Sequence, residues 1–225
     1  KKQGPNKKFE KIVNSIKSGD LNSFKELISN IHEFDIKGSI DSDQNYTYLI
    51  KVSDDNDIIP MSNLPLLHIA AYFNSLECFK YLHEEKHLPL RSLSKDNFFP
   101  LHYACFNGSS EVVLYILNKD PEEATLNPEK SNKFHLLFCA VKGNKLDIIE
   151  ELFKNGAKVT DSHNDQNELI NESIKHQDER ILSLIYNNHD PNLPQGKVTF
   201  AMNAIIYHNF EALKLVYRGL EDITP

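Results

Sequence analysis

The chain has 225 residues, 40% hydrophobic and 25% charged, with 32 acidic against 25 basic residues and a net charge of -7. It is long enough to bury a sizeable core, and no run approaches the ~20 apolar residues of a membrane span. The acidic balance argues against a nucleic-acid binder, whose phosphate contacts need clustered Lys and Arg.

Residues 1–29 open with six Lys against one Glu in the first 17 positions, which reads as a solvated leading end rather than a binding arm. Ile12, Val13 and Ile16, then Gly19, then Leu21, Phe24, Leu27 and Ile28 predict a helix pair. Residues 30–63 are an insertion with seven acidic and two basic residues. Tyr46 to Val52 has strand-forming residues and Asp54 to Asp57 reads as a turn, so a hairpin or loop is expected. An acidic finger for a basic partner is one reading of it; a solvated insertion is the favoured one.

Four further segments repeat one pattern. Residues 64–93 carry Leu67-His68-Ile69-Ala70-Ala71 with Leu76, Phe79 and Leu82. Residues 94–129 carry Phe99-Pro100-Leu101-His102-Tyr103-Ala104-Cys105, Gly108, then Val112, Val113, Ile116 and Leu117. Residues 130–163 keep every apolar slot from His135 to Val141 and from Leu146 to Phe153, with Phe138 where the others have His. Residues 194–225 run Thr199 to Ile205, then Phe210 to Tyr217. Residues 164–193, with Ile170, Ile174, Ile181, Leu182 and Ile185, fit the same scheme to within one residue. The slot between the two helices falls at 19, 74, 108, 144, 176 or 177, and 208. About six helix pairs, at a period near 33, are the mark of an all-α solenoid.

The physical reason is that each pair has apolar residues at helical spacing and cannot bury both faces alone. Stacking gives a continuous core, with Ala70, Ala71, Ala104 and Cys105 letting helices approach closely. Pro100 suits a first helical turn. Leu101 and Leu137 occupy the same inward slot of successive repeats.

These stretches resemble the ankyrin repeat, whose pattern runs Thr-Pro-Leu-His-x-Ala-Ala, then Gly, then Leu-Glu-Val-Val and Leu-Leu. Pro100, Leu101, His102 and Ala104 match residue by residue, with Phe99 in the Thr slot and Cys105 in the second Ala slot. Leu67, His68, Ala70 and Ala71 match one repeat earlier, where Pro65 stands in the Thr slot. The resemblance implies that His68 and His102 tie one turn to the next. It also makes Asp222-Ile223-Thr224-Pro225 read as the opening of another repeat, and the chain as a piece of a longer array. The Trp-Leu-Gly-Tyr pattern of the rival tetratricopeptide repeat is missing, as is Trp altogether. The abundance of Asn, Lys and Ile fits an AT-rich genome such as that of a protist or an intracellular bacterium.

No catalytic or metal pattern survives inspection. Asp41-Ser42-Asp43-Gln44-Asn45 begins like a calcium loop, but Tyr46 stands where Gly is needed and Val52 where the bidentate Glu belongs. Asp161, His163 and Asp165 supply no full ligand set. There is no His-Glu-x-x-His, nucleophile elbow or phosphate-cradling Gly loop. Cys78, Cys105 and Cys139 are an odd set without Cys-x-x-Cys spacing, read as reduced, buried thiols of a cytoplasmic or nuclear protein. No enzyme and no cofactor are expected.

The expected function is therefore protein–protein interaction, as a scaffold or adaptor that binds a peptide or protein surface, without nucleic acid or membrane insertion and as a monomer. The alternative is a cytosolic arm of a larger protein, such as a channel or a ubiquitin-ligase substrate receptor. In the family the concave groove is made by the turn tips and the two residues before the Gly slot. Here those positions hold Tyr72 and Phe73, Phe106 and Asn107, Lys142 and Gly143, and Ile206 and Tyr207; turn positions add Leu64, Phe98, Phe134 and Val198. Partner contact is expected at Tyr72, Phe73, Phe98, Phe106, Asn107, Phe134, Lys142 and Tyr207, because an exposed aromatic ridge marks an interface. The competing reading folds these rings over the neighbouring repeat. On the first reading Phe98→Ala and Phe106→Ala weaken binding and spare stability; on the second they do the reverse.

Overall fold

The computed structural model describes residues 7–29, 47–51, 58–62, 64–94, 97–125, 135–159, 163–188 and 197–221. Six consecutive helix pairs run through them. They are α1 (Lys7–Ser18) with α2 (Leu21–Ile28), α3 (Leu66–Tyr72) with α4 (Leu76–Lys80), and α5 (Pro100–Asn107) with α6 (Ser110–Lys119). Then come α7 (Leu136–Lys142) with α8 (Leu146–Lys154), α9 (His163–Lys175) with α10 (Glu179–Asn187), and α11 (Lys197–Ile206) with α12 (Phe210–Glu221). A π-helical turn, Tyr81–Glu85, prolongs α4, and a 3-10 turn, Pro121–Thr125, follows α6.

The hinge inside each pair has one recurring cause. A single residue in left-handed conformation closes the first helix: Gly19, Asn74, Gly108, Asn144, Gln177 and His208, with φ between 53° and 80°. Gln177 thereby settles the register of the fifth pair. The next residue starts the second helix, and where it is Asp or Asn its side chain caps: Asp20 accepts from the Ser23 N–H at 3.1 Å and Asn209 from the Ala212 N–H at 3.0 Å. Each such cap satisfies a backbone donor that the helix leaves unpaired.

The pairs stack in sequence. First helices form an inner row, with α1 on α3, α3 on α5, α5 on α7, α7 on α9 and α9 on α11; second helices form an outer row in the same order. Leu67, Ala70, Ala71, Leu101, Ala104, Leu137, Ala140, Ile170, Phe200 and Ala204 are buried between inner helices. Val112, Val113, Ile148, Ile149, Ile181 and Leu182 are buried beneath the outer row. On the outer side, Arg91 donates to the buried Glu123 carboxylate at 2.7 Å and to Asp120 at 2.6 Å, tying the segment after the second pair to the end of the third.

Before the second pair, β1 (Thr47–Lys51) pairs antiparallel with β2 (Ile58–Ser62), with Leu49 opposite Pro60. In a two-stranded ribbon both strands are edges, where Pro is tolerated. The expected turn at Asp54 to Asp57, the calcium-like run at Asp41 to Asn45, Phe134, Asp161 and the Asp222 to Pro225 segment lie outside the described residues.

Candidate functional site: the inner helices and their turns

The entrances to α3, α5 and α7 are built from the motif residues. His68 Nε2 donates to the Phe98 carbonyl at 3.1 Å, and that carbonyl also accepts from the Ser94 N–H at 2.8 Å. The second repeat's inner helix is thus tied to the turn that opens the third. His102 Nδ1 accepts from the Phe99 N–H at 3.2 Å. The reciprocal half of a capping box is missing, since Phe99 has no acceptor on its side chain.

In the fourth repeat the histidine has moved. His135 stands in the Thr slot, and its Nδ1 accepts from the Phe138 N–H at 3.4 Å, the bond a Thr hydroxyl would make. By spacing alone Phe138 reads as a lost His; the His three residues earlier is the signal that one half of the cap persists.

Pro65 creates a different gap. It stands where Phe99 stands one repeat later, and it has no N–H to offer. His68 Nδ1 is accordingly buried without a hydrogen-bond partner. Burial drives the His68 pKa down to about 4, against the smaller upward pull of the Phe98 and Ser92 carbonyls, so the ring is neutral at physiological pH.

The expected aromatic ridge is corrected by burial. Tyr72, Phe98 and Phe106 are all buried, and Leu64 with them. Phe98 packs on His102 and Tyr103 with ring centroids 5.4 and 6.0 Å away. Tyr72 is covered by the next repeat, whose Asn107 Nδ2 and Ser109 hydroxyl both donate to its carbonyl, at 2.7 and 2.8 Å. Phe106 lies under Gly143, which has no Cβ to hold the two backbones apart. Phe73, Asn107, Lys142 and Tyr207 are half-buried, one at or near the end of each of four inner helices.

Cations lie over both rings of this row, Lys17 over Phe73 at 5.7 Å and Lys175 over Tyr207 at 6.0 Å, while Lys142 lies over the buried Phe138 at 5.7 Å. Near Lys142 and Lys175 sits the buried Glu172, which no sequence pattern marked. Burial raises its pKa, but His176 and Lys175, with the Lys142 charge behind them, outweigh that and hold the carboxyl at about 2. Lys175 Nζ is 3.1 Å from its Oε2.

Nucleophilic chemistry finds no support in the cysteines. All three are buried and unpaired. Burial pushes the Cys105 thiol up and the Cys139 thiol to about 12, the opposite of an activated nucleophile. Among the described residues no group of three or more His, Cys, Asp or Glu could hold a metal, and no helix is long and apolar enough to cross a membrane.

Such an array of helix pairs, each closed by a left-handed hinge and stacked only on like neighbours, defines a helical repeat solenoid. The model of the family described as ankyrin repeats (3 copies) matches residues 12–122 and 67–163, more than half of the chain, and the protein belongs to the ankyrin repeat family. No curated protein matches it. Ankyrin repeats are in general protein–protein interaction modules and are typically not enzymes.

Proposed function

We propose that this array is a scaffold or adaptor that binds a peptide or protein surface along the exposed ends of its inner helices. The observation that supports it is the half-buried row of Phe73, Asn107, Lys142 and Tyr207, one side chain in each of four repeats. The two rings offer apolar area, and aromatic anchors carry much of the binding energy of interfaces. Asn107 and Lys142 between them supply polar contacts. Tyr72 packs edge-on against Phe73, with ring centroids 5.1 Å apart.

The test compares the wild-type chain with Phe73→Ala, Tyr207→Ala in a pull-down read by mass spectrometry, with partner affinity then measured by calorimetry. A partner whose affinity falls about tenfold or more in the variant, at an unchanged melting temperature, is the expected result. A partner that binds both proteins equally well moves the contact surface elsewhere.

A further inference from the structure

The last helix pair departs from the burial pattern of all those before it. Met202, Ile205 and Ile206 on α11 are 57%, 60% and 61% exposed, and Phe210 and Tyr217 on α12 are 71% and 68% exposed. Five large apolar side chains bare on two adjacent helices form a patch of the kind that marks an interface.

Counting from the left-handed hinge residue shows what normally covers these positions. Ile205 stands three before His208, and its counterparts Ala71, Cys105, Val141 and Ile174 are all buried. Ile206 corresponds to Tyr72 and Phe106, both buried, with their carbonyls met by Asn107, Ser109 and Gly143 of the following repeat, and to the half-buried Lys142 and Lys175. Met202 corresponds to His68, His102 and Phe138, all buried, and to Asn171, which accepts a 2.7 Å bond from Asn203 of the following inner helix. Phe210 corresponds to Ser110, whose hydroxyl reaches Asp147 on the following outer helix at 2.6 Å. Earlier in the array the Ile205 position is always buried, the Met202 position is buried or bonded to the next pair, and Tyr72 and Phe106 at the Ile206 position are buried.

The opposite end is finished differently. On α1 and α2 no large apolar side chain is exposed among the described residues, and Lys11, Asn14 and Glu26 meet solvent. That face is polar. It is chemically unsuited to seat on Ile205 and Ile206, which argues against head-to-tail stacking of two copies.

We infer that the bare face of α11 and α12 is the seat of a further helix pair of the same build, stacked as the next unit of the same array. The joint repeats the geometry of the five already present, with Ile205 and Ile206 in its centre.

The experiment extends the chain after Glu221 with a copy of residues 120–159, and in a second version with a copy of residues 160–188. Amide hydrogen exchange is followed in α11. The expected result is exchange about tenfold or more slower than in the 225-residue chain with at least one extension. Ile205→Lys with Ile206→Glu should cancel that slowing while α5 and α6 keep their protection. Unchanged exchange with both extensions overturns the proposal. So does a 225-residue chain that sediments as a dimer and becomes monomeric with Ile205→Lys, Ile206→Glu, since that assigns the face to a second copy.

Discussion

Gly143 lies so close to the Phe106 carbonyl that a Cβ on the glycine would overlap the oxygen. Its φ of -76° is open to any residue, so conformational freedom does not explain it. Replacing Gly by Ala in such a conformation ordinarily stabilises by about 0.5 to 1 kcal/mol. Here backbone would have to move, and overpacking of that kind costs about 1 to 3 kcal/mol. Gly143→Ala should therefore lower stability by about 2 kcal/mol in urea unfolding. Hydrogen exchange should place the loss at the joint between α5 and α7; a stabilised variant would contradict the close approach.

The burial of Phe98 and Phe106 reverses the effect expected of exposed groove residues. Either ring truncated to Ala should cost about 3 to 5 kcal/mol, as large-to-small core changes do. Leu101→Ala, at a position 1% exposed, should cost about 2 to 5 kcal/mol. Because contacts run between neighbouring repeats, unfolding of these variants should begin in the third repeat and depart from a two-state melt. Melting curves unchanged from wild type would return the rings to the surface.

The same two rings show where sequence reading stops. Apolar spacing and the hinge slots placed the helix pairs, because both follow from local backbone geometry that each repeat solves by itself. Only the hinge at Gln177 is ambiguous in the sequence, since Gln gives no hint of a left-handed φ. Whether Tyr72 or Phe106 is covered depends instead on the side chain opposite, one repeat on. The absence of a side chain at Gly143 lets the next backbone descend on Phe106, and Asn107 with Ser109 closes over Tyr72. A Gly in the groove position of the following repeat was the available signal. The buried Glu172 had none, because its partners Lys175 and His176 look like an ordinary charged helix end.

Pro65 and His68 make a local fault that a substitution should mend. A buried acceptor left unpaired costs about 1 to 3 kcal/mol. Pro65→Thr supplies the missing N–H and a capping hydroxyl, and forfeits about 0.4 to 1 kcal/mol of proline stiffening. A net gain of about 1 kcal/mol is expected in chemical denaturation. The gain should vanish in a His68→Leu background; a gain of the same size there would show that the histidine is not the group being satisfied.

Acid should attack the array through His68 before it reaches the carboxylates. The folded-state pKa of about 4 lies below the ordinary 6.5, so the unfolded chain binds the proton more readily. The contribution is fully present above pH 6.5 and is lost as pH falls toward 4, on the order of 3 kcal/mol in all. Glu172, held at about 2, adds stability that is present above 4.5 and lost between there and pH 2. Stability measured from pH 7 to pH 4 should fall steeply in the wild type and much less in His68→Leu. Equal slopes would remove His68 as the cause.

The hinge residues offer a matched pair of changes. An L-residue in left-handed conformation costs roughly 1 to 2 kcal/mol, which Gly escapes at a somewhat smaller entropic cost. His208, with φ 53°, is exposed, so His208→Gly should raise stability by about 0.5 to 1 kcal/mol. Gln177, with φ 57°, carries the same backbone strain, but its Nε2 donates to the Tyr207 carbonyl at 2.6 Å across the joint to the sixth repeat. Gln177→Gly relieves the strain and loses that bond, worth about 1 kcal/mol, so its net effect should lie near zero. The difference between the two variants in urea unfolding measures what the Gln177 side chain contributes to holding α11 on α9. If Gln177→Gly stabilises as much as His208→Gly, that bond contributes nothing in solution.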